Sequence, residues 1–240
     1  MNGTAERRAR ILVMLARAGH PVQTKSLCRV SAEVTGATGA GIMLMSGNTP
    51  GGSLCTTNEM SDVIEQLQYA LGEGPCVDAY QQDTPVLEAD LANARTRRWP
   101  AFSPPALRAG VAAVFGFPLH IGATRLGALN LCRDSAGSLD QQQYADALVM
   151  ADIVAESILI FQSKAGPGGE VAAELEEAAD FHWVVHQASG MVAAQLGIGI
   201  GHALARLRGY AFANERLLAD VAKDVVARRL RLSADEMGGT

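Results

Sequence analysis

A glycine-rich segment constrains the fold of this chain more than any other sequence feature. Residues 164–169 read Lys-Ala-Gly-Pro-Gly-Gly, with three glycines and one proline in the last four positions. Such a run does not continue a helix, because glycine is conformationally free and proline lacks an N–H group. It is therefore predicted to be a linker that divides the 240-residue chain into parts of about 164 and 71 residues. Both sizes suit folded domains.

The composition supports folded domains and excludes a disordered acidic or basic chain. Apolar residues make up 48% of the sequence and charged residues only 19%, so a sizeable, mainly aliphatic core can form. The net charge of -5 gives no general attraction to nucleic acid or to anionic membranes. A local basic patch remains compatible with this net charge.

The sequence carries no pattern typical of export or of membrane insertion. The apolar run at residues 11–16 is too short for a signal peptide, and no window approaches 18 uncharged apolar residues. The cysteines stand at positions 28, 55, 76 and 132, so none of them forms a close metal-ligand pair. We therefore expect a cytoplasmic protein with reduced thiols, no metal site and no cofactor.

Before the linker, helical and strand patterns alternate in an order that predicts an α+β sandwich with an antiparallel sheet. Residues 1–19 are expected to form an N-terminal helical segment. The strongest hairpin signal pairs 111–120 with 125–133, and a second hairpin pairs 41–46 with 53–57. The other predicted elements are helices at 25–38, 61–70 (with Ser61 as its N-cap), 99–109 and 140–161, and a brief strand at 85–88.

After the linker, three apolar stripes predict an all-α three-helix module. The stripes lie in residues 184–196, 204–211 and 218–226, separated by turns at 197–201 and 212–215. The acidic residues 170–180 are expected to extend the first helix backwards, and so long a helix would suit a homodimer contact. The glycines at 197, 199 and 201 are interpreted as an interhelix turn, since a phosphate-binding fingerprint needs a preceding strand.

Four segments before the linker resemble GAF sensor domains of actinobacterial regulators. They are Gly72-Glu-Gly-Pro-Cys-Val-Asp78, Arg98-Trp-Pro-Ala-Phe102, Val114-Phe-Gly-Phe-Pro-Leu119 and Leu126-Gly-Ala-Leu-Asn-Leu131. The resemblance covers residues 20–163 and implies a GAF-type α/β/α sandwich with a pocket between the sheet and the loop at 72–78. Cys76, Phe115 and Phe117 are the candidates for lining a small-molecule pocket there. The alternative is that these side chains only fill the core.

Residues 181–232 resemble the ANTAR domain, the RNA-binding module of transcription antitermination regulators. The resemblance rests on Val185-His-Gln-Ala-Ser-Gly-Met191, Ala203-Leu-Ala-Arg-Leu-Arg208, Tyr210-Ala-Phe212 and Arg216-Leu-Leu-Ala-Asp-Val-Ala222. It implies that residues 170–235 form a helical ANTAR module that binds structured RNA hairpins. The family often has lysine where this chain has Ser189, a departure that bears on RNA affinity and not on the fold.

The charge of this C-terminal segment suits a polyanion. Residues 181–232 carry seven basic and three acidic side chains, a net charge of +4. Arg208 lies four residues before Phe212, so a guanidinium and a ring can share one helix face, and the ring can stack on a loop base. The predicted RNA-binding residues are Gln187, Ser189, Arg206, Arg208, Phe212 and Arg216. The arginines at 228, 229 and 231 fit a helix C-terminus equally well.

Together these features predict a cytoplasmic, homodimeric regulator of transcription antitermination. Its GAF domain would sense a small molecule, the redox state or a partner, and its ANTAR domain would bind hairpin RNA and prevent a terminator from forming. An enzyme is not expected, because the sequence lacks a nucleophile elbow, a zinc motif and a Walker loop. Two alternatives stay open: a helix-turn-helix DNA-binding regulator, and a protein-interaction module that has lost RNA binding.

Overall fold

The computed structural model describes residues 2–19, 23–46, 49–93, 98–164, 184–214 and 216–232. They fall into two compact units, Met1–Leu175 and Glu176–Thr240. The predicted linker at 164–169 and the predicted helix extension at 170–180 lie outside the described residues, apart from Lys164 at the end of a helix. Each unit is described by itself below.

The first unit is built on a five-stranded antiparallel sheet with the order β2-β1-β5-β4-β3. Its strands are β1 (Gly39–Ser46), β2 (Thr49–Thr56), β3 (Val86–Glu88), β4 (Ala113–Ile121) and β5 (Thr124–Arg133). Both predicted hairpins are confirmed, since Ile42 pairs with Cys55 in the first and Phe117 with Leu129 in the second. Gly122 has a φ of 58° in the two-residue turn between β4 and β5, a conformation that favours glycine.

Helices cover both faces of this sheet, which confirms the predicted α/β/α sandwich. The helices are α1 (Asn2–Ala18), α2 (Thr24–Thr35), α3 (Glu59–Leu71), α4 (Pro75–Gln82), α5 (Ser103–Arg108) and α6 (Gln141–Lys164). On one face, α1, α2 and α6 bury a cluster that includes Ile11, Leu27 and Met150. On the other face, α3, α4 and α5 bury a second cluster that includes Ile64 and Phe102. The two clusters supply most of the apolar burial that stabilises the unit.

Two predicted helix starts were misplaced. The helix predicted to begin at Ser61 begins at Glu59, and Asn58 is its N-cap: the Asn58 side chain accepts a hydrogen bond from the Ser61 amide at 3.0 Å. Ser61 is instead the third residue, and its hydroxyl accepts from the Asn58 amide at 3.1 Å in a capping box. The helix predicted from residue 99 begins at Ser103, because residues 99–102 are held by contacts described below.

The expectation of four reduced thiols is wrong for two of them. Cys28 on α2 and Cys55 on β2 form a disulfide, with their Cα atoms 6.3 Å apart. Cys76 and Cys132 are free and buried. Spacing along the sequence could not show the pairing, because it depends on how the β1–β2 hairpin packs against α2.

The described residues of the second unit form three helices, as the apolar stripes predict. They are α7 (Val184–Leu196), α8 (Ile200–Ala213) and α9 (Leu218–Val226), with α7 and α8 bent by 106° relative to each other. Residues 197–199 make the turn between α7 and α8, so the predicted interhelix turn is confirmed, but Ile200, Gly201 and Phe212 are helical. Residues such as Val185, Leu207 and Val221 form the buried core.

No single helix in the described part of the chain is long and apolar enough to cross a membrane. The bent pair α7 and α8 reaches the required length and composition only when the two helices are counted together.

Candidate functional sites

One side of α8 presents an aromatic ring beside an arginine. Phe212 is 60% exposed, and Arg208 lies one helical turn before it with its side chain half-buried. Arg206 is two residues from Arg208, which places it about 200° around the helix. Helical spacing therefore places Arg208 and Phe212 on one face of α8 and Arg206 on the opposite flank.

The two predicted contacts on α7 differ in their placement. Gln187 is exposed and available to a ligand. Ser189 is 1% exposed, and its hydroxyl donates a hydrogen bond to the Val185 carbonyl at 2.7 Å. This corrects the expectation that Ser189 contacts a base, because a buried hydroxyl already bonded to its own helix cannot reach one.

Arg216 shares a carboxylate with a second arginine. Asp224 Oδ2 lies 2.5 Å from Arg216 Nη2, and Asp224 Oδ1 lies 2.7 Å from Arg229 Nη2. The hydrogen bonds from Arg216 and Arg229 lower the pKa of Asp224, and the bond to Asp224 raises the pKa of Arg216. Asp224 thus holds two guanidinium groups side by side at the surface and offsets part of their charge. Sequence reasoning missed Asp224 because Arg216 precedes α9 and Arg229 follows it.

The C-terminus of α9 explains how Arg229 reaches this carboxylate. Arg228 has a φ of 58°, the left-handed conformation that closes many helices. The amides of Arg229 and Leu230 both donate to the Asp224 carbonyl, at 2.8 and 3.1 Å. The chain therefore turns back on the last helical turn, and Arg229 lies over Asp224 as well as near the helix C-terminus.

In the first unit, the predicted pocket residues lie on opposite faces of the sheet. Cys76 is buried with α3, α4 and α5. Phe115 and Phe117 are buried on the other face with α2 and α6. Neighbouring residues of a strand point to opposite faces, so the β4 residues on the Cys76 side are Val114 and Gly116. The three predicted residues therefore do not line one pocket.

The two motif segments, residues 72–78 and 98–102, bind each other. Glu73 Oε1 accepts hydrogen bonds from the amides of Ala101 and Phe102, at 2.6 and 2.8 Å. Asp78 Oδ2 accepts from the indole N–H of Trp99 at 3.1 Å and lies 2.8 Å from Arg98 Nε. These contacts give the acidic residues of the first motif a structural role: they fix residues 98–102 over α4.

The close packing of the start of α4 on the sheet requires glycine in β4. A Cβ atom at Gly116 would lie 2.4 Å from the Pro75 carbonyl oxygen, a distance that no side chain tolerates. Gly116 therefore allows the start of α4 to lie directly on the sheet.

A buried polar cluster lies beneath these segments. Glu65 is 2% exposed, and Asn130 Nδ2 donates to its Oε1 at 3.2 Å. Gln68 Oε1 accepts from the Cys76 amide at 2.7 Å. Within the described part of the chain, Gln68 Nε2 and Asn130 Oδ1 are buried without a hydrogen-bond partner. Buried polar atoms rarely lack a hydrogen-bond partner, so these two atoms mark this interior as the candidate sensing site.

Burial changes the chemistry of the cluster. Desolvation raises the pKa of Glu65 to about 8, and hydrogen bonds from Asn130 and Ser53 act in the opposite direction. Burial, with Glu65 nearby, raises the pKa of Cys132 to about 12 and that of Cys76 well above its ordinary value. The carboxyl is therefore mainly protonated at neutral pH, and the two thiols are poor nucleophiles. Sequence reasoning missed Glu65, since a single glutamate on an amphipathic helix carries no distinctive pattern.

Metal binding has no visible basis in the residues that the structure describes. Among them, no group of three or more His, Cys, Asp or Glu side chains is placed to hold an ion.

Comparison with known proteins identifies both units. The family model of the GAF domain matches residues 24–158, and that of the ANTAR domain matches residues 173–226. No curated protein matches the chain.

Solved structures resemble the first unit in fold. The GAF domain of a phosphoenolpyruvate-protein phosphotransferase from Coxiella burnetii aligns with a TM-score of 0.50 and 14% identity, over 67% of this chain and 97% of that one. A domain of a putative two-component sensor histidine kinase protein from Sinorhizobium meliloti aligns with a TM-score of 0.47 and 15% identity, over 59% of this chain and 91% of that one. A type II free methionine-R-sulfoxide reductase from Thermoplasma acidophilum aligns with a TM-score of 0.43 and 16% identity, over 67% of this chain and 97% of that one. At 14% identity the likeness to the Coxiella burnetii domain shows the fold alone.

Proposed function

The chain belongs to the GAF-domain family through residues 24–158 and carries an ANTAR domain at residues 173–226, and from this we propose that it is a signal-responsive regulator of transcription antitermination. In our proposal both domains are regulatory. In our proposal the second unit binds hairpin RNA in the cytoplasm and prevents a terminator from forming. Input to the GAF domain shifts the population of a homodimer between states of different RNA affinity.

The exposed Phe212 beside Arg208 is the observation that carries the RNA proposal. Aromatic rings are usually buried, because burial removes their apolar surface from water. A ring that is 60% exposed on a helix does not gain this stabilisation unless a binding partner covers it. An unpaired base of an RNA loop stacks well on such a ring, and a neighbouring guanidinium binds the adjacent phosphate. Gln187, Arg206 and Arg216 remain predicted contacts, and the Arg216–Asp224–Arg229 group supplies further positive charge.

The first experiment compares hairpin RNA with duplex DNA on the purified full-length chain. We expect RNA with two stem-loops to bind at least tenfold more tightly than duplex DNA of equal length. Phe212→Ala should weaken RNA binding about tenfold, because one stacked base is worth roughly 1–3 kcal/mol. Ile200→Ala is the matched control, since it removes another exposed apolar side chain from the same helix. Equal loss in both variants would contradict a stacking role for Phe212.

Arginine variants test the geometry of the same face. Arg208→Ala should weaken RNA binding more than Arg206→Ala does, because only Arg208 shares a helix face with Phe212. The two substitutions remove the same charge from the same helix, so they control for each other. Equal effects would indicate general electrostatic attraction instead of a defined face.

A protein-interaction module is the second candidate, and one observation favours it. Ile200 at the start of α8 is 62% exposed, so α8 presents apolar side chains near both of its ends. Such residues also suit a protein partner. This candidate gains support if no hairpin RNA binds better than duplex DNA at low salt.

A further inference from the structure

The disulfide joins a helix of one layer to an edge of the sheet. Cys28 is fully buried in α2, and Cys55 in β2 is 8% exposed, so Cys55 is the less completely buried cysteine of the pair. Both lie in the cluster formed by α1, α2 and α6. The bond therefore connects the sheet edge to the helical layer that contains the end of the GAF domain.

The strand that carries Cys55 is the less firmly held partner. β2 is an edge strand that pairs only with β1, and its pairing shifts register between Ile42 and Met43 and again between Leu44 and Met45. Opening such a strand exposes Cys55 without disturbing the centre of the sheet. The chain runs on from β2 into the capping box of α3, which carries Glu65, so movement of β2 reaches the buried polar cluster.

A disulfide is unexpected in a protein that works on RNA. The proposed RNA function places the chain in a compartment where glutathione and thioredoxin keep thiols reduced, and disulfides found there are usually transient or redox-sensing. This step rests on the proposed function. In such a compartment the Cys28–Cys55 bond forms under oxidising conditions and is reduced again afterwards.

We propose that Cys28 and Cys55 form a reversible redox site that supplies an input of the sensor unit, with a low-molecular-weight disulfide as its oxidant. The Cys55 thiolate attacks one sulfur of the oxidant, whose S–S bond breaks and releases one thiol. The Cys28 thiolate then attacks Cys55 Sγ, and the mixed disulfide breaks and releases the second thiol. The two cysteines lose two electrons and two protons, and the oxidant is reduced to two thiols. Reduction by excess thiol runs the same steps backwards.

The test equilibrates the full-length native chain in buffers with varied ratios of reduced to oxidised glutathione. Acid quenching, alkylation of free thiols and intact mass then give the number of free thiols at each ratio. We expect a reversible transition from four free thiols to two. Cys28→Ser and Cys55→Ser should abolish it, and Cys76→Ala, which removes a free buried cysteine, should retain it.

Peptide mapping keeps the test independent of how the variants fold. Cleavage of the oxidised wild-type chain after glutamate separates Cys55 from Cys76, since Glu59 and Glu73 lie between them. A linked peptide that contains Cys28 and Cys55 supports the assignment. Thiols that stay free at every ratio, a bond that excess dithiothreitol does not reduce in the native chain, or a different pairing would overturn it.

RNA binding then tests the site as an input. The oxidised and reduced wild-type chains should differ at least threefold in affinity for hairpin RNA, and Cys28→Ser should show no redox dependence. Equal affinities of the two forms would overturn the regulatory part of the proposal. If neither form binds RNA, the proposed function fails while the glutathione transition still stands, so the two failures are distinguishable.

Discussion

A single buried carboxyl, Glu65, is expected to make the stability of the sensor unit depend on pH. Its pKa is about 8 in the fold, against an ordinary value of 4.5, because burial disfavours the charged form. Between these two values the unfolded chain releases a proton that the folded chain retains. The free energy of unfolding therefore falls as pH rises from about 4.5 to 8.

Glu65→Gln should raise the free energy of unfolding at pH 8 by a few kcal/mol and flatten its pH dependence between 5 and 8. The neutral amide avoids the desolvation penalty, which the pKa difference sets at roughly 5 kcal/mol at most. Chemical denaturation across this pH range measures the effect. Glu33→Gln, at an exposed position on α2, is the control and should leave the profile unchanged. A wild-type profile that rises with pH in this window would contradict the assignment.

Asp224 is the second single residue that we expect to have a measurable effect, in this case on the affinity for RNA. Asp224→Asn should strengthen binding of hairpin RNA several-fold, because it releases Arg216 and Arg229 from a shared carboxylate. Fluorescence anisotropy at low salt measures the dissociation constant. Asp220→Asn is the matched control, since it removes the same charge from the same helix, and its carboxylate lies 3.6 Å from Lys223. Equal gains in the two variants would show that only net charge matters.

At the scale of elements, the end of α9 depends on an unfavourable backbone conformation. Arg228→Gly should raise the stability of the C-terminal unit by about 1 kcal/mol, because glycine adopts positive φ without the steric penalty of a side chain. Thermal unfolding followed by circular dichroism measures the change. Arg231→Gly removes the same charge at a position without positive φ and should not stabilise. Stabilisation by both substitutions would point to charge repulsion instead.

Elements also show why the sequence placed some candidate side chains as the structure has them and misplaced others. The exposed face of α8 follows from helical spacing, so Arg208 and Phe212 were placed together from the sequence. The prediction of the pocket residues was wrong because Phe115 and Phe117 lie on the face of the sheet opposite to Cys76. The sequence of a strand that is buried on both faces does not show which face packs against which helix layer. Ser189 failed for a similar reason, because only packing against the other helices decides which side of α7 is buried.

At the scale of the whole molecule, charge is divided unevenly along the chain. Residues 181–232 carry +4 and the remaining residues carry -9. In our proposal the attraction to RNA comes from residues 181–232 and weakens as salt screens it. The overall composition, with its net charge of -5, does not by itself favour the RNA binding that we propose.

Salt dependence separates the two kinds of contact that we propose. The logarithm of the RNA affinity should fall linearly with the logarithm of salt concentration, and Arg208→Ala should reduce the slope by about 0.7–0.9, the value for one phosphate contact. Phe212→Ala should lower affinity at every salt concentration without changing the slope, because stacking releases no counterions. Titrations from low to physiological salt measure both. A changed slope for Phe212→Ala would contradict its role as a stacking platform.

The sequence by itself determined both hairpins, the α/β/α sandwich, the two families, and the order and type of the elements other than α4, whose first residues were interpreted as a loop. These depend on local apolar periodicity, turn residues and contiguous motifs, all of which lie within short stretches of chain. Only the tertiary structure decided the Cys28–Cys55 pair, the burial of Glu65 beside Asn130 and the bond between the two motif segments. Each of these joins residues far apart in sequence, and their proximity is set by packing between layers, which local patterns do not encode.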